Sequence, residues 1–184
     1  MPKATSSVYI VPFRRRREGK TYYKKRTALL KSRKPRFVVR KQNRGLVIQV
    51  LKYSKEGDLV VVGAHSSVLK QFGWLPKRNI PTAYLLGLYI GKLAKEKHVE
   101  EVILDIGLHT PTKGSLVFYA LKGAIDAGLS TKLNMKLDES RLKGEHISKY
   151  SEMKPERFTH YDKSNVDPKQ LATLFEEVKS KIIG

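Results

Sequence analysis

Cysteine is absent from the 184 residues, which excludes a disulfide framework, a thiolate metal site and a cysteine nucleophile, and accords with a reducing compartment. Long hydrophobic runs are also missing. The longest uncharged stretch, residues 79–91, is thirteen residues, short of the roughly 20 apolar residues that a bilayer-crossing helix needs. The opening MPKATSSVYIVPF has no h-region of adequate length before its Arg run, so no signal peptide is expected and the chain reads as soluble and intracellular. Histidines at 65, 98, 109, 146 and 160 are widely separated, with no paired spacing on one helix and no carboxylate cluster nearby, which argues against a metal site. Internal repeats and low-complexity tracts are lacking too. Scarcest of all is negative charge near the N-terminus: residues 1–45 hold 16 basic residues against one acid, Glu18.

The whole chain carries 37 basic and 17 acidic residues, a net charge of +20, and +15 of that lies in residues 1–45. On so small a body such charge is self-repulsive unless a polyanion is normally present. Residues 13–45, FRRRREGKTYYKKRTALLKSRKPRFVVRKQNRG, set fifteen Lys and Arg against Glu18 and interleave them with Tyr22, Tyr23 and Phe37. Phosphates match this segment, because each one neutralised releases condensed counterions. Arg supplies forked donors for phosphate oxygens, and the aromatic rings offer stacking surfaces for unpaired bases, a habit of RNA sites more than of duplex DNA. A solvated charged face is the ordinary meaning of a charge run; fifteen bases against one acid favour nucleic acid instead. An anionic membrane is a poorer match, since Tyr22, Tyr23, Leu29 and Leu30 make a weak insertion stripe.

Periodicity places these groups on elements. Residues 17–31 predict a helix with Arg17, Lys20, Lys24 and Lys31 on one side, ending by about Arg33 because Pro35 disfavours helical geometry before it. RFVVRK, LVIQVLKY and EGDLVVVGAH predict a hairpin and a third strand. NIPTAYLLGLYIGKLAKEK predicts a buried helix capped by Asn79, with Pro81 in its first turn and Gly87 and Gly91 permitting close approach. EEVILDIG, the loop LHTPTKG and SLVFYALKGAIDAG form a strand, a loop and a helix bearing Val117, Leu121, Ala124 and Ile125 and stopped by Gly128, the βα pattern of an α/β domain. RLKGEHISKYSEM is a modest helix. DPKQLATLFEEVKSKII is a strong one, with Asp167 as cap, Pro168 in the first turn and a stripe of Leu171, Leu174, Phe175, Val178 and Ile182, which either packs on its own domain or docks a neighbour.

The blocks FRRRREGKTYYKKRTALLKSRKPRFVVRK, GAHSSVL, NIPTAYLLGL, EEVILDIGL, KGAIDAG and RLKGEHISKY, in that order over roughly residues 8–150, resemble the archaeal-type large-subunit ribosomal protein that binds 5S ribosomal RNA, number eighteen in bacterial naming and five in eukaryotic naming. The resemblance implies an α/β fold with a mixed β-sheet packed by helices and a basic N-terminal arm and helix; with the periodicity beyond it, the chain is expected to divide into that arm and helix (residues 1–34), an α/β RNA-binding core (35–130) and a mostly helical C-terminal extension (131–184). It also implies a structural, non-enzymatic and ribosome-bound cytoplasmic role without cofactor, membrane or DNA: holding 5S to 23S ribosomal RNA in the central protuberance beside neighbouring large-subunit proteins. Carried over position by position, the RNA-facing residues are Arg14, Arg15, Arg16, Arg17, Lys20, Tyr23, Lys24 and Arg26 of the arm and first helix, then Lys31, Lys34, Arg36, Arg40, Lys41 and Arg44 into the hairpin. The loops add His65, Ser66 and Ser67, and His109, Thr110 and Lys113. The chain departs from the resemblance in two places: family members often carry Gly where Arg33 stands, and the region beyond about 150 varies.

An RNA- or nucleotide-processing enzyme is the alternative, motivated by the loop GLHTPTKGS and the His65 block. The loop lacks the phosphate-cradling pattern GxxxxGK followed by Ser or Thr, because Thr112 stands where Gly is required. A helix start near Ser115 with Lys113 beside it still suits a backbone phosphate. His65, Ser66, Ser67 and Asp105 lack the GxSxG elbow of a serine hydrolase. Before a partner arrives, repulsion among like charges predicts a mobile arm over residues 1–16.

Overall fold

The structure, a computed structural model, describes residues 6–133, 136–158, 161, 164 and 166–184. His160 therefore lies outside the described residues. The basic N-terminal segment forms two short helices, α1 (Arg14–Arg17) and α2 (Tyr23–Leu30), where periodicity predicts one. Gly19 sits between them at φ +63°, and the Lys20 N–H turns back to the Arg15 carbonyl at 2.8 Å. That left-handed residue, which glycine adopts without steric cost, ends the first turn among four adjacent like charges. After α2, Arg33 adopts φ +56° with its N–H on the Leu30 carbonyl at 3.0 Å. A residue other than glycine thus holds the left-handed stop of this helix.

Four strands follow: β1 (Arg36–Lys41), β2 (Leu46–Lys52), β3 (Leu59–His65) and β4 (Ile103–Asp105). They form one mixed sheet in the order β3-β2-β1-β4, antiparallel between β1, β2 and β3 and parallel between β1 and β4. Register follows the apolar alternation: Phe37 faces Val50 and Val39 faces Ile48, and all four are buried in the core. A slip by one residue would turn these side chains outward.

Helices α3 (Ile80–Glu96) and α4 (Leu116–Asp126) cover that face. Asn79 Oδ1 accepts the Thr82 N–H at 3.1 Å and caps α3, with Pro81 in the first turn. The two helices meet backbone to backbone: a Cβ on Gly87 would lie 1.9 Å from the Ala120 carbonyl oxygen, and one on Gly123 would lie 2.1 Å from that of Tyr84. Gly87 and Gly91 fulfil their expected role, and Gly123 completes it from the opposite helix.

Beyond the α/β core come α5 (Glu139–Lys143) and α6 (Glu145–Met153), broken at Gly144 with φ +87°, and α7 (Leu171–Ile183). Asp167 Oδ1 accepts the Lys169 N–H at 2.9 Å ahead of α7. The α7 stripe packs on its own domain: Leu171, Phe175, Val178 and Ile182 are buried, and the Phe175 ring lies 5.5 Å from Tyr84 and 6.3 Å from Trp74. Lys92 Nζ donates to the Ile182 and Ile183 carbonyls at 3.1 and 3.2 Å, a cation at the helix end where the dipole favours one. Among the described residues, no helix is long and apolar enough to cross a membrane.

Candidate nucleic-acid interface

The second face of the sheet carries different chemistry. Strand alternation puts Arg36, Val38 and Arg40 of β1 opposite in direction to Phe37 and Val39, and the register sets Leu51 beside Arg36 and Asp105 beside Val38. The arm lies over this face and leaves a cleft of about 920 Å³. One wall is the arm, with Arg15, Lys20, Tyr22, Tyr23, Lys25 and Arg26; the other is Arg40 and Lys41 with the loop 106–109. Arg36, Val38, Leu51, Asp58 and Asp105 form its floor.

The floor is an ion-pair chain. Arg26 grips Asp58 with both terminal nitrogens, Nη1 to Oδ2 and Nη2 to Oδ1, each at 2.9 Å. Arg36 donates from Nη2 to the same Asp58 Oδ2 at 2.6 Å and from Nη1 to Asp105 Oδ2 at 2.7 Å. Asp105 Oδ1 in turn accepts the Gly107 N–H at 2.9 Å. Burial alone pushes the Asp58 carboxyl up, but hydrogen bonds from Arg26 and Arg36 outweigh it and hold the group below the ordinary carboxylate range. The same Asp58 hydrogen bond raises the Arg26 guanidinium. Both acids of the cleft are thus committed to Arg26 and Arg36, which leaves Arg15, Lys20, Lys25, Arg40 and Lys41 lining it without a cleft carboxylate as partner.

Individual positions separate accordingly. Arg14, Arg16 and Arg17 on α1 and Lys24 and Lys31 on and just after α2 are exposed. Arg15 Nε donates to Thr21 Oγ1 at 2.9 Å, and Lys20 pairs with Glu18 at 2.9 Å on the surface. Arg40 is exposed and Lys41 half-buried in the cleft. Lys34 pairs with Glu101. Arg36 corrects the expectation of a surface contact: it is 3% exposed, with both terminal nitrogens on carboxylates, so it supports the floor and does not reach outward. Tyr23 is half-buried with its ring 5.0 Å from Phe13, whereas Tyr22 is 53% exposed and is the freer stacking surface.

A second hollow of about 410 Å³ gathers Gln42, Asn43, Arg44, Gly45, His65, Ser66, Ser67, Lys70 and Pro76. His65 Nδ1 accepts the Ser67 N–H at 3.1 Å and starts the 3₁₀ turn Ser66–Phe72, so in the neutral ring Nε2 carries the proton. Ser66 is also interior: its Oγ accepts the Leu46 N–H at 3.2 Å and is 1% exposed as a residue. Gly45 gives these side chains room, because a Cβ would lie 2.8 Å from His65 Nε2 and from Ser66 Oγ and would displace them. Ser67 and Arg44 remain exposed at the rim. His109 lines the main cleft, and burial followed by the charges of Lys41 and Lys25 depresses its pKa. Thr110 and Lys113 are exposed farther along the loop and line neither hollow.

Sequence reasoning left three contributors out of its set. Lys25 Nζ donates to the Gly107 carbonyl at 3.2 Å and ties α2 to the 106–109 loop. Lys70 adds a cation to the second hollow, and Asp58 joins arm to sheet. Charge density flagged Lys25 and Lys70 only as cations, and Asp58 carried no signal beyond its place before a strand. Among the described residues, no group of three or more His, Cys, Asp or Glu could hold a metal ion. A family model described as "Ribosomal large subunit proteins 60S L5, and 50S L18" matches residues 7–100 and 92–134, a span that contains both hollows and stops before α5.

Proposed function

The chain belongs to the family of large-subunit ribosomal proteins that comprises 60S L5 and 50S L18, and on that premise we propose that it binds 5S ribosomal RNA and attaches it to 23S ribosomal RNA in the central protuberance. Membership makes ribosomal RNA and ribosomal proteins its partners and its role structural. The observation that carries the finer reading is the basic cleft, where the acids are consumed by Arg26 and Arg36 while Arg15, Lys20, Lys25, Arg40 and Lys41 line two walls. Arg14, Arg16, Arg17, Lys24 and Lys31 extend the cationic surface outside it. Phosphates supply the affinity, and the rigid sheet beneath fixes register. Tyr22 offers its face to an unpaired base, which together with 2′-hydroxyl contacts selects RNA over DNA. Arg44, Ser67 and Lys70 form a second contact at the turn between β1 and β2.

The test is binding of a 5S transcript across a salt series. With about eight basic groups on phosphates, log K against log salt falls with a slope of roughly −6 to −7. Replacing Arg14, Arg15, Arg16 and Arg17 by Gln weakens binding throughout and flattens the slope; an unchanged slope removes α1 from the interface, and no binding by the intact chain in dilute buffer overturns the reading. Processing of RNA or nucleotide finds no support in the geometry, since His65 Nδ1 accepts from the local Ser67 N–H and Ser66 is buried.

A further inference from the structure

Asp58 stands in the wrong place for a phosphate-binding cleft if charge alone is considered. It lies on the floor beside Arg36, beneath the six other Lys and Arg side chains of the cleft, and a carboxylate there repels the ligand. A like charge at about 8 Å in water weakens binding about twofold, so its removal would tighten RNA binding. The contacts say otherwise. Asp58 joins α2 to the sheet by charged groups, beside the Lys25 tie to the Gly107 carbonyl: its two oxygens take both terminal nitrogens of Arg26 from the arm, and Oδ2 also takes Nη2 of Arg36 from β1. Arg36 continues to Asp105, and Asp105 to the Gly107 N–H at the opposite wall. The turn 53–58 that presents Asp58 includes Gly57 at φ +157° and bears no other contact to the arm among the hydrogen bonds of the described residues.

We propose that Asp58 is a positioning residue for RNA binding: by clamping Arg26 to the sheet it holds the arm wall at a fixed spacing from Arg40 and Lys41, against the mutual repulsion of those cations. The RNA then meets two walls already set apart by the right distance. Without the clamp, the arm has to be ordered at the moment of binding, which costs affinity. This inference rests on the RNA-binding reading above.

Its test uses the full chain, a 5S transcript and the variant Asp58→Asn, which keeps the shape and raises the net charge by one. Binding is expected to weaken about tenfold, with the log-log salt line displaced downward in parallel, because the same phosphates are neutralised in the complex. In the free protein, amide exchange of residues 23–30 quickens while that of α3 stays slow. Unchanged or tighter binding by Asp58→Asn, or unchanged exchange over residues 23–30, overturns the inference while leaving the RNA reading intact. Failure of the intact chain to bind overturns both. Should Asp58→Asn not fold, Arg26→Lys serves: it keeps the charge, leaves the Arg36 pairs in place and loses the fork. The clamp predicts weaker binding and faster exchange over 23–30 for it as well, and wild-type values for either measurement sink the proposal.

Discussion

Asp58 receives three guanidinium hydrogen bonds, and they decide how the arm responds to acid. Burial pushes its carboxyl up, and the two arginines more than offset this, so its folded pKa lies below the roughly 3.9 of an unfolded Asp. A depressed carboxylate contributes stability above the unfolded value and loses it as pH falls through the folded one. Unfolding free energy of the free protein, followed from about pH 5 downward, is therefore expected to drop below about pH 4, with a smaller drop in Asp58→Asn. Equal acid sensitivity of the two proteins would show that the arginine contacts contribute nothing to folding. The same site marks the limit of reading residues one at a time. Arg36 is an ordinary member of a basic run in the sequence, yet its partners Asp58 and Asp105 lie 22 and 69 positions away. Its burial is a consequence of strand alternation plus two non-local acids, and only the first of these is visible locally.

At the scale of elements, local chemistry accounts for the caps and strands. Asn79, Asp167 and the Phe37 and Val39 alternation act where their side chains dictate. The single helix expected over residues 17–31 breaks because Gly19 takes a left-handed conformation that a hydrophobic pattern does not register. Packing of α3 on α4 was half legible: Gly87 and Gly91 advertise a close approach, but the partner surface, Ala120 and Gly123, is identified only by contact. That contact yields a sharp expectation. Gly87→Ala places a methyl 1.9 Å from the Ala120 carbonyl, where neither helix backbone can yield without displacing buried neighbours. Overpacking of this kind costs about 1–3 kcal/mol, and more where backbone is the obstacle. Thermal unfolding of Gly87→Ala should therefore show a midpoint lower by at least several degrees. An unchanged midpoint would mean that α3 and α4 sit farther apart than described. The role of the α7 stripe was undecidable from periodicity, since an apolar stripe does not name its partner. Tyr84 and Trp74 around Phe175 supply it.

For the molecule as a whole, the net charge of +20 acts on folding and on binding with opposite signs. In the free protein, like charges on the arm and on β1 repel across the cleft, and added salt screens them over a Debye length of about 10 Å at 0.1 M. In the complex, RNA has already neutralised those charges, and added salt competes with it for the phosphates. The free chain should therefore gain thermal stability as monovalent salt rises from about 0.05 to 0.5 M, while affinity for the 5S transcript falls by several powers of ten over the same range. Residues 23–30 should account for most of the gain, because α2 carries its cations against the sheet through Arg26 and the Lys25 contact, whereas α7 packs through apolar groups that screening leaves untouched. Amide exchange at the two salt concentrations separates these elements. If salt instead loosened residues 23–30, attraction within the ion-pair chain would outweigh repulsion between the walls. The cleft would then be closed by its own acids and would need RNA only as a ligand, not as a counterion.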